Sequence, residues 1–168
     1  MASLRKPTLI VALKLRALIL TLSRTTSRCP LKPVFLRGLH FQRSQAAQTK
    51  LIRVVTGTVL DVIVDLRKDS PTYKQREGYI LSASNHRQLL VPRGFAYGFL
   101  TLTDNVNFVY KCDNYYDAEA DGRISFKTPE LNIDWPIEFD KAVTSEKDAK
   151  QLTLTEFVKD NPFVYVEI

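Results

Sequence analysis

"LIRVVTGTVLDVIVDLR", residues Leu51 to Arg67, decides the fold class. Apolar and polar side chains alternate along it, and Gly57 interrupts the alternation once. That period belongs to a strand and not to a helix, so the stretch predicts two short strands with Gly57 between them. The same period continues outward. "GYILSA" (78–83), "RQLLVP" (87–92), "AYGFLTLT" (96–103) and "NVNFVYK" (105–111) predict further strands. Between them lie "SNH", "PRG" and "TDN", which is turn chemistry. Many short, evenly spaced strands predict an all-β body, either a sandwich or a jelly-roll barrel. After Asn114 the pattern fades. "TSEKDAK" (144–150) predicts a capped helical turn, with Thr144 or Ser145 as its N-cap.

The chain has 168 residues, room for one domain with a sizeable core. Its net charge of +6 invites a nucleic-acid reading, but the distribution argues against one. No Asp or Glu precedes Asp61, so the first sixty residues carry +11 and the remainder carries −5. The body is mildly acidic, and no nucleic-acid partner is expected. Cys29 and Cys112 lie in segments of different character and form no CxxC pair. A reducing, cytoplasmic setting is therefore the expectation.

The basic character belongs to residues 1–34, an atypical segment set against an ordinary body at 35–168. Its apolar run "TLIVALKLRALILTL" (8–22) is short for a membrane span and holds Lys14 and Arg16, which would be costly there. No membrane partner is expected. The segment fits a targeting peptide, being basic, Ser/Thr-containing and free of acids. It also fits an amphipathic surface helix.

The polar residues that stand out on the predicted strands are His40, Lys50, Arg53, Tyr97 and Tyr110. A strand histidine can be a satisfied core residue. Beside a lysine and a tyrosine it suits other work. Imidazole accepts a proton near neutral pH, a tyrosine returns one, and a lysine stabilises a developing oxyanion. The set suits proton abstraction next to a carbonyl. It does not suit metal chemistry, because His40 and His86 are the only histidines. No phosphate-binding glycine loop, activated-serine motif or HExxH is present. His86, in the "SNHR" turn, reads as solvated surface.

"LRGLHFQ" (36–42), "KLIRVVTGTVLDVIVDLRKDSPTY" (50–73), "LSASNHRQLLVPRGFAYGFLTL" (81–102), "YKCDNYYDAEADGRISF" (110–126), "LNIDWP" (131–136) and "SEKDA" (145–149) follow one another in order. Together they resemble the successive motifs of the dTDP-4-dehydrorhamnose 3,5-epimerases, from about Phe35 almost to the C-terminus. The resemblance implies a cupin-like jelly-roll subunit with short peripheral helices. It also implies a homodimer that needs no metal and no organic cofactor. The implied substrate is a dTDP-linked 4-keto-6-deoxy-glucose, inverted at C3 and then C5 on the way to dTDP-L-rhamnose. Both carbons flank the C4 ketone, so one enolisation chemistry serves twice. A single-centre epimerase and a non-catalytic sugar-nucleotide-binding protein are the alternatives.

Carried over by motif, His40 matches the base and Asp148 its carboxylate partner. Tyr110 matches the proton donor, and Lys50 the lysine at the C4 oxygen. Arg37 and Lys147 match basic residues that hold the sugar nucleotide, and Tyr116 is a candidate for stacking near its base or sugar. Each has a plainer reading as well. Asp148 could be a carboxylate at a helix start, Lys50 a strand-edge lysine, Tyr110 a core ring. Two further binding positions depart from the pattern. Tyr97 stands where many members have histidine, still offering a hydroxyl. Asp121 stands where a glutamate is common, one methylene shorter.

The larger departure is upstream, where the family's "RGFFxE" and "QDNxS" motifs are missing. Reading Ser23 to Thr26 as TCC AGG ACA ACC gives Gln-Asp-Asn in another frame, at the position where that motif belongs. Out-of-frame translation is thus a further account of residues 1–34, and resequencing the DNA would test it.

Overall fold

In a computed structural model, residues 24–31, 34–145, 148 and 151–166 are described, those of 24–31 by backbone alone. The targeting, helical and out-of-frame readings of residues 1–34 therefore fall largely outside the described residues, as does Lys147.

The period-two stretch forms β3 (Lys50–Thr56) and β4 (Thr58–Asp65). They are not a hairpin. β3 belongs to a four-stranded sheet and β4 to a five-stranded one, and Gly57 is the corner where the chain crosses between them. Its φ of 77° is one that glycine adopts without strain. The other predicted strands are β5 (Arg76–Ser82), β6 (Gln88–Val91), β7 (Phe95–Thr101) and β8 (Val106–Cys112). The strand of the histidine motif is β2 (Leu36–Gln42). β1 (Arg24–Leu31), inside the segment read as atypical, forms the edge beside β8. β9 (Asp121–Arg123) is a three-residue strand where the sequence pattern had faded.

The sheets run β1-β8-β3-β6 and β5-β4-β7-β2-β9, with antiparallel pairing throughout. They face each other as a jelly-roll sandwich rather than as a closed barrel, since no described strand is shared between them. The core has two layers. Ile52, Val54, Val59, Ile63, Phe95, Phe99, Val106 and Phe108 pack between the sheets. Leu36, Leu39, Phe41, Val62, Val64 and Leu100 turn the other way, against Ile124, Trp135, Leu154, Phe157 and Phe163 of the C-terminal part. The five-stranded sheet is thus covered on both faces. This explains why β4 is buried nearly throughout, where simple alternation would leave one side wet.

The helical turn predicted at 144–150 shows only as one bond between the described residues, from Asp148 N–H to the Ser145 carbonyl at 2.9 Å. Ser145 is not an N-cap acceptor; its hydroxyl donates to Asp148 Oδ2 at 2.6 Å. The peripheral helix is instead α1 (Leu154–Val158), closed by a capping box between Thr153 and Glu156. Short 3-10 turns lie at Ser44–Ala46 and Pro129–Leu131. Among the described residues, no helix is long and apolar enough to cross a membrane.

Candidate active site

The inward faces of both sheets converge on a cavity of about 340 Å³ at one end of the sandwich. Phe99 and Phe108 form its apolar part. Arg37, His40, Lys50, Tyr97, Tyr110, Tyr116 and Asp121 line it as well, so one cavity holds seven of the nine candidate residues. Alternation explains most of this. On β3, Lys50 shares a face with Ile52 and Val54, which are core. On β8, Tyr110 shares a face with Val106 and Phe108.

β2 needs a further device. Arg37 and His40 both line the cavity, although they are three positions apart, while Leu36, Leu39 and Phe41 pack in the outer layer. The register on β7 shifts between Arg37 and His40, which changes the parity of the strand. Gly38 makes room for the shift. A Cβ there would lie 2.5 Å from the Gly98 Cα, and its φ of 127° already disfavours other residues. The order Arg-Gly-Leu-His therefore reads as cavity, crossing, core, cavity.

His40 Nε2 lies 2.9 Å from Asp148 Oδ1, an ion-pair distance, but without the alignment of a hydrogen bond. The Asp148 side chain is fully buried, whereas 14 % of the His40 side chain remains exposed, so the imidazole is the member open to the cavity. Burial alone would raise the Asp148 carboxyl. Facing His40, the Ser145 hydroxyl and the charge of Arg37 outweigh it and hold the group below the usual carboxylate range. Burial pushes the Lys50 ammonium below the usual lysine range. Cys112 and Asp121 oppose this, and Arg37 adds to it. The Lys50 Nζ lies 5.8 Å from the centre of the Tyr97 ring.

Tyr97 does not present its hydroxyl to a ligand as expected. The hydroxyl donates to Asp61 Oδ1 at 3.1 Å, deep between the sheets, and the ring forms the cavity wall. Burial pushes the Asp61 carboxyl from 3.8 up to about 8, against the pull of that bond. The Tyr97 phenol is raised well above its ordinary value by burial and by the same carboxyl. Asp121 lines the cavity but is also ion-paired with Arg123, and it accepts from Gln42 at 3.4 Å. Tyr116 sits at the rim, about half exposed. His86 is on the surface, as read.

Several cavity residues escaped the sequence reading. Gln42, Gln48, Cys112 and Arg123 line the space, and Asp61 supports it from beneath. The signal for Asp61 was present: an acid inside "VLDVIV" needs a reason. Gln48 and Arg123 lie in segments without periodicity. Among the described residues, no three His, Cys, Asp or Glu side chains gather in a way that could hold a metal ion.

A family profile described as dTDP-4-dehydrorhamnose 3,5-epimerase matches residues 20–156. It begins ahead of Phe35, where the motif resemblance begins. The chain is 52% identical over 101 residues to the dTDP-4-dehydrorhamnose 3,5-epimerase of Salmonella typhimurium, covering 60% of this chain and 55% of the relative. It is 45% identical over 124 residues to that of Escherichia coli, covering 74% and 66%. The match thus spans less than two thirds of either relative's length. A solved dTDP-6-deoxy-D-glucose-3,5-epimerase from Legionella pneumophila, in complex with dTDP-4-keto-L-rhamnose, superposes with a TM-score of 0.81 at 39% identity, covering 87% of this chain and 76% of that one. With the jelly-roll architecture and the motif-by-motif match, this chain belongs to the dTDP-4-dehydrorhamnose 3,5-epimerase family.

Proposed function

We propose that this chain epimerises a dTDP-linked 4-keto-6-deoxy-glucose at C3 and C5, by removing and returning protons beside the C4 ketone. One observation carries the reading: a cavity-facing imidazole backed by a buried carboxylate, with a lysine and a second hydrogen-bonding aromatic in the same cavity. His40 takes the C–H proton. Asp148 steadies the imidazolium that results, because a fully buried anion at 2.9 Å stabilises positive charge on the ring. Lys50 faces the enolate oxygen. A desolvated ammonium is a better proton donor than a solvated one, so burial strengthens its hydrogen bond to the oxyanion. Tyr110 supplies the proton that completes inversion.

The diphosphate calls for cations. Arg37, and Lys147 by motif, take that role, with Tyr116 at the rim stacking on the nucleoside. Asp121 and the Tyr97 ring complete the sugar-binding wall. The chemistry requires no metal or organic cofactor. The same reading carries a homodimeric, cytoplasmic enzyme, and sedimentation at several protein concentrations tests the dimer.

Proton NMR of dTDP-4-keto-6-deoxy-glucose in D2O tests the chemistry. Deuterium should enter at C3 and C5 with the unaltered chain and at neither with His40→Ala. Entry at one carbon only would make the chain a single-centre epimerase. No exchange from a folded chain would overturn the proposal.

A further inference from the structure

We infer that Gln151 is a positioning residue for the His40–Asp148 pair, tying the carboxylate oxygen nearest the imidazole to the strand that carries the imidazole. The inference rests on the epimerase reading for its catalytic consequence, but not for its geometry.

The amide nitrogen of Gln151 has two hydrogens and two acceptors. It donates to Asp148 Oδ1 at 2.9 Å and to the Gly38 carbonyl at 2.7 Å. Oδ1 is the oxygen that faces His40 Nε2. Gly38 lies two residues before His40 on β2, at the crossing where the strand changes parity. One side chain therefore joins the turn that carries Asp148 to the strand that carries His40, across 113 residues of sequence. The Ser145 hydroxyl holds the other carboxylate oxygen at 2.6 Å. With both oxygens engaged, the carboxylate cannot rotate away from the imidazole without breaking a hydrogen bond.

The orientation of the amide is over-determined. Its oxygen is buried and has no partner. Turning the amide over would place that oxygen against two acceptors, so the unpartnered oxygen is the smaller cost. Glutamate would set a charge against Asp148 and offer no donor. Leucine would fill similar space and leave both acceptors unserved. Gln151 is not among the residues that line the cavity, so it acts through the pair and not on the substrate. Its donation also spreads the charge of Asp148, leaving His40 an oriented partner of moderated strength.

The test uses Gln151→Leu in the full chain and two readouts. Turnover and KM come from the exchange assay. The ring nitrogens of His40 are followed by 15N NMR as a function of pH, with His86→Asn present so that one histidine remains. The expected result is a kcat lowered roughly 10- to 100-fold with KM changed by less than about threefold, as misorientation beside a reacting group produces. The His40 ring signals should shift at the same time. A folded variant with kcat and ring signals both unchanged overturns the inference. A lowered kcat with unchanged ring signals does so too, since that marks a merely structural staple. If the leucine variant does not fold, Gln151→Ala removes the same two donors and is read the same way. Should the unaltered chain show no exchange, the epimerase reading fails, while the ring signals still decide whether Gln151 positions the pair.

Discussion

Asp61→Asn should abolish a pH dependence of stability that the wild-type chain carries in its core. Asp61 faces inward on β4 between Val59 and Ile63 and is 0% exposed. Its one oxygen accepts from Tyr97, and the other has no partner. Burial pushes the carboxyl up from 3.8 to about 8. Between those values the unfolded chain has lost the proton and the folded chain keeps it. The unfolded state then binds fewer protons, so stability is fullest below 3.8 and falls as pH rises toward 8, by about 1.4 kcal/mol per pH unit. Over that whole window the loss is about 5 to 6 kcal/mol, comparable with the total stability of many domains.

Asparagine has nearly the same shape and can still accept from Tyr97, but it does not ionise. Its amide nitrogen would lack an acceptor where the unpartnered oxygen now sits, at about 1–3 kcal/mol, and that cost does not vary with pH. Urea unfolding of both chains at pH 5, 6, 7 and 8, followed by the single tryptophan, Trp135, gives the comparison. The stability difference should swing toward the asparagine variant by about 4 kcal/mol from pH 5 to pH 8. Parallel pH profiles, differing by a constant, would refute the reasoning. They would mean that Asp61 is ionised in the fold and that its burial is compensated.

Two further outcomes test the site from its scaffold. Gly98→Ala should destabilise the chain by about 1–3 kcal/mol in thermal unfolding and weaken exchange as well. Its Cβ would meet the Arg37 carbonyl at 2.8 Å and the Leu39 side chain at 2.9 Å, and so push on the strand that aims His40. Lys50→Met should abolish exchange while raising the unfolding temperature, because an apolar side chain of similar length relieves the desolvation that lowers the lysine. A Lys50→Met chain that retains turnover would remove lysine from the mechanism.

How much of this could be read in the sequence depends on the range of the contacts that made it. β3 to β8 declare themselves, because alternation is a local property and turns such as Asn85–His86 and Pro92–Gly94 bound it. β9 does not, since three residues carry no period. It exists because His40, Phe41 and Gln42 offer it an edge and because Gly122 lets the Phe41 ring approach; a Cβ there would lie 2.1 Å from the ring. α1 is five residues long, too short for an amphipathic pattern, yet its capping box, Thr153 to Glu156, was in the sequence. For the site, period two accounts for Lys50 and Tyr110 but fails for Arg37 and His40, whose spacing of three would put them on opposite faces. Only the motif resemblance placed them together. The structure supplies the cause in a register shift at Gly38, where the backbone of Gly98 comes too close for any side chain. Asp148 joins them over 108 residues of chain, and no local pattern encodes that distance. The parity change and the pairing are then one requirement. Without the shift at Gly38, His40 would face the outer core with Leu36, and Leu39 would turn toward the cavity. The carbonyl that Gln151 holds would no longer lie beside the carboxylate, and the cavity would keep its lysine and tyrosine but lose its base.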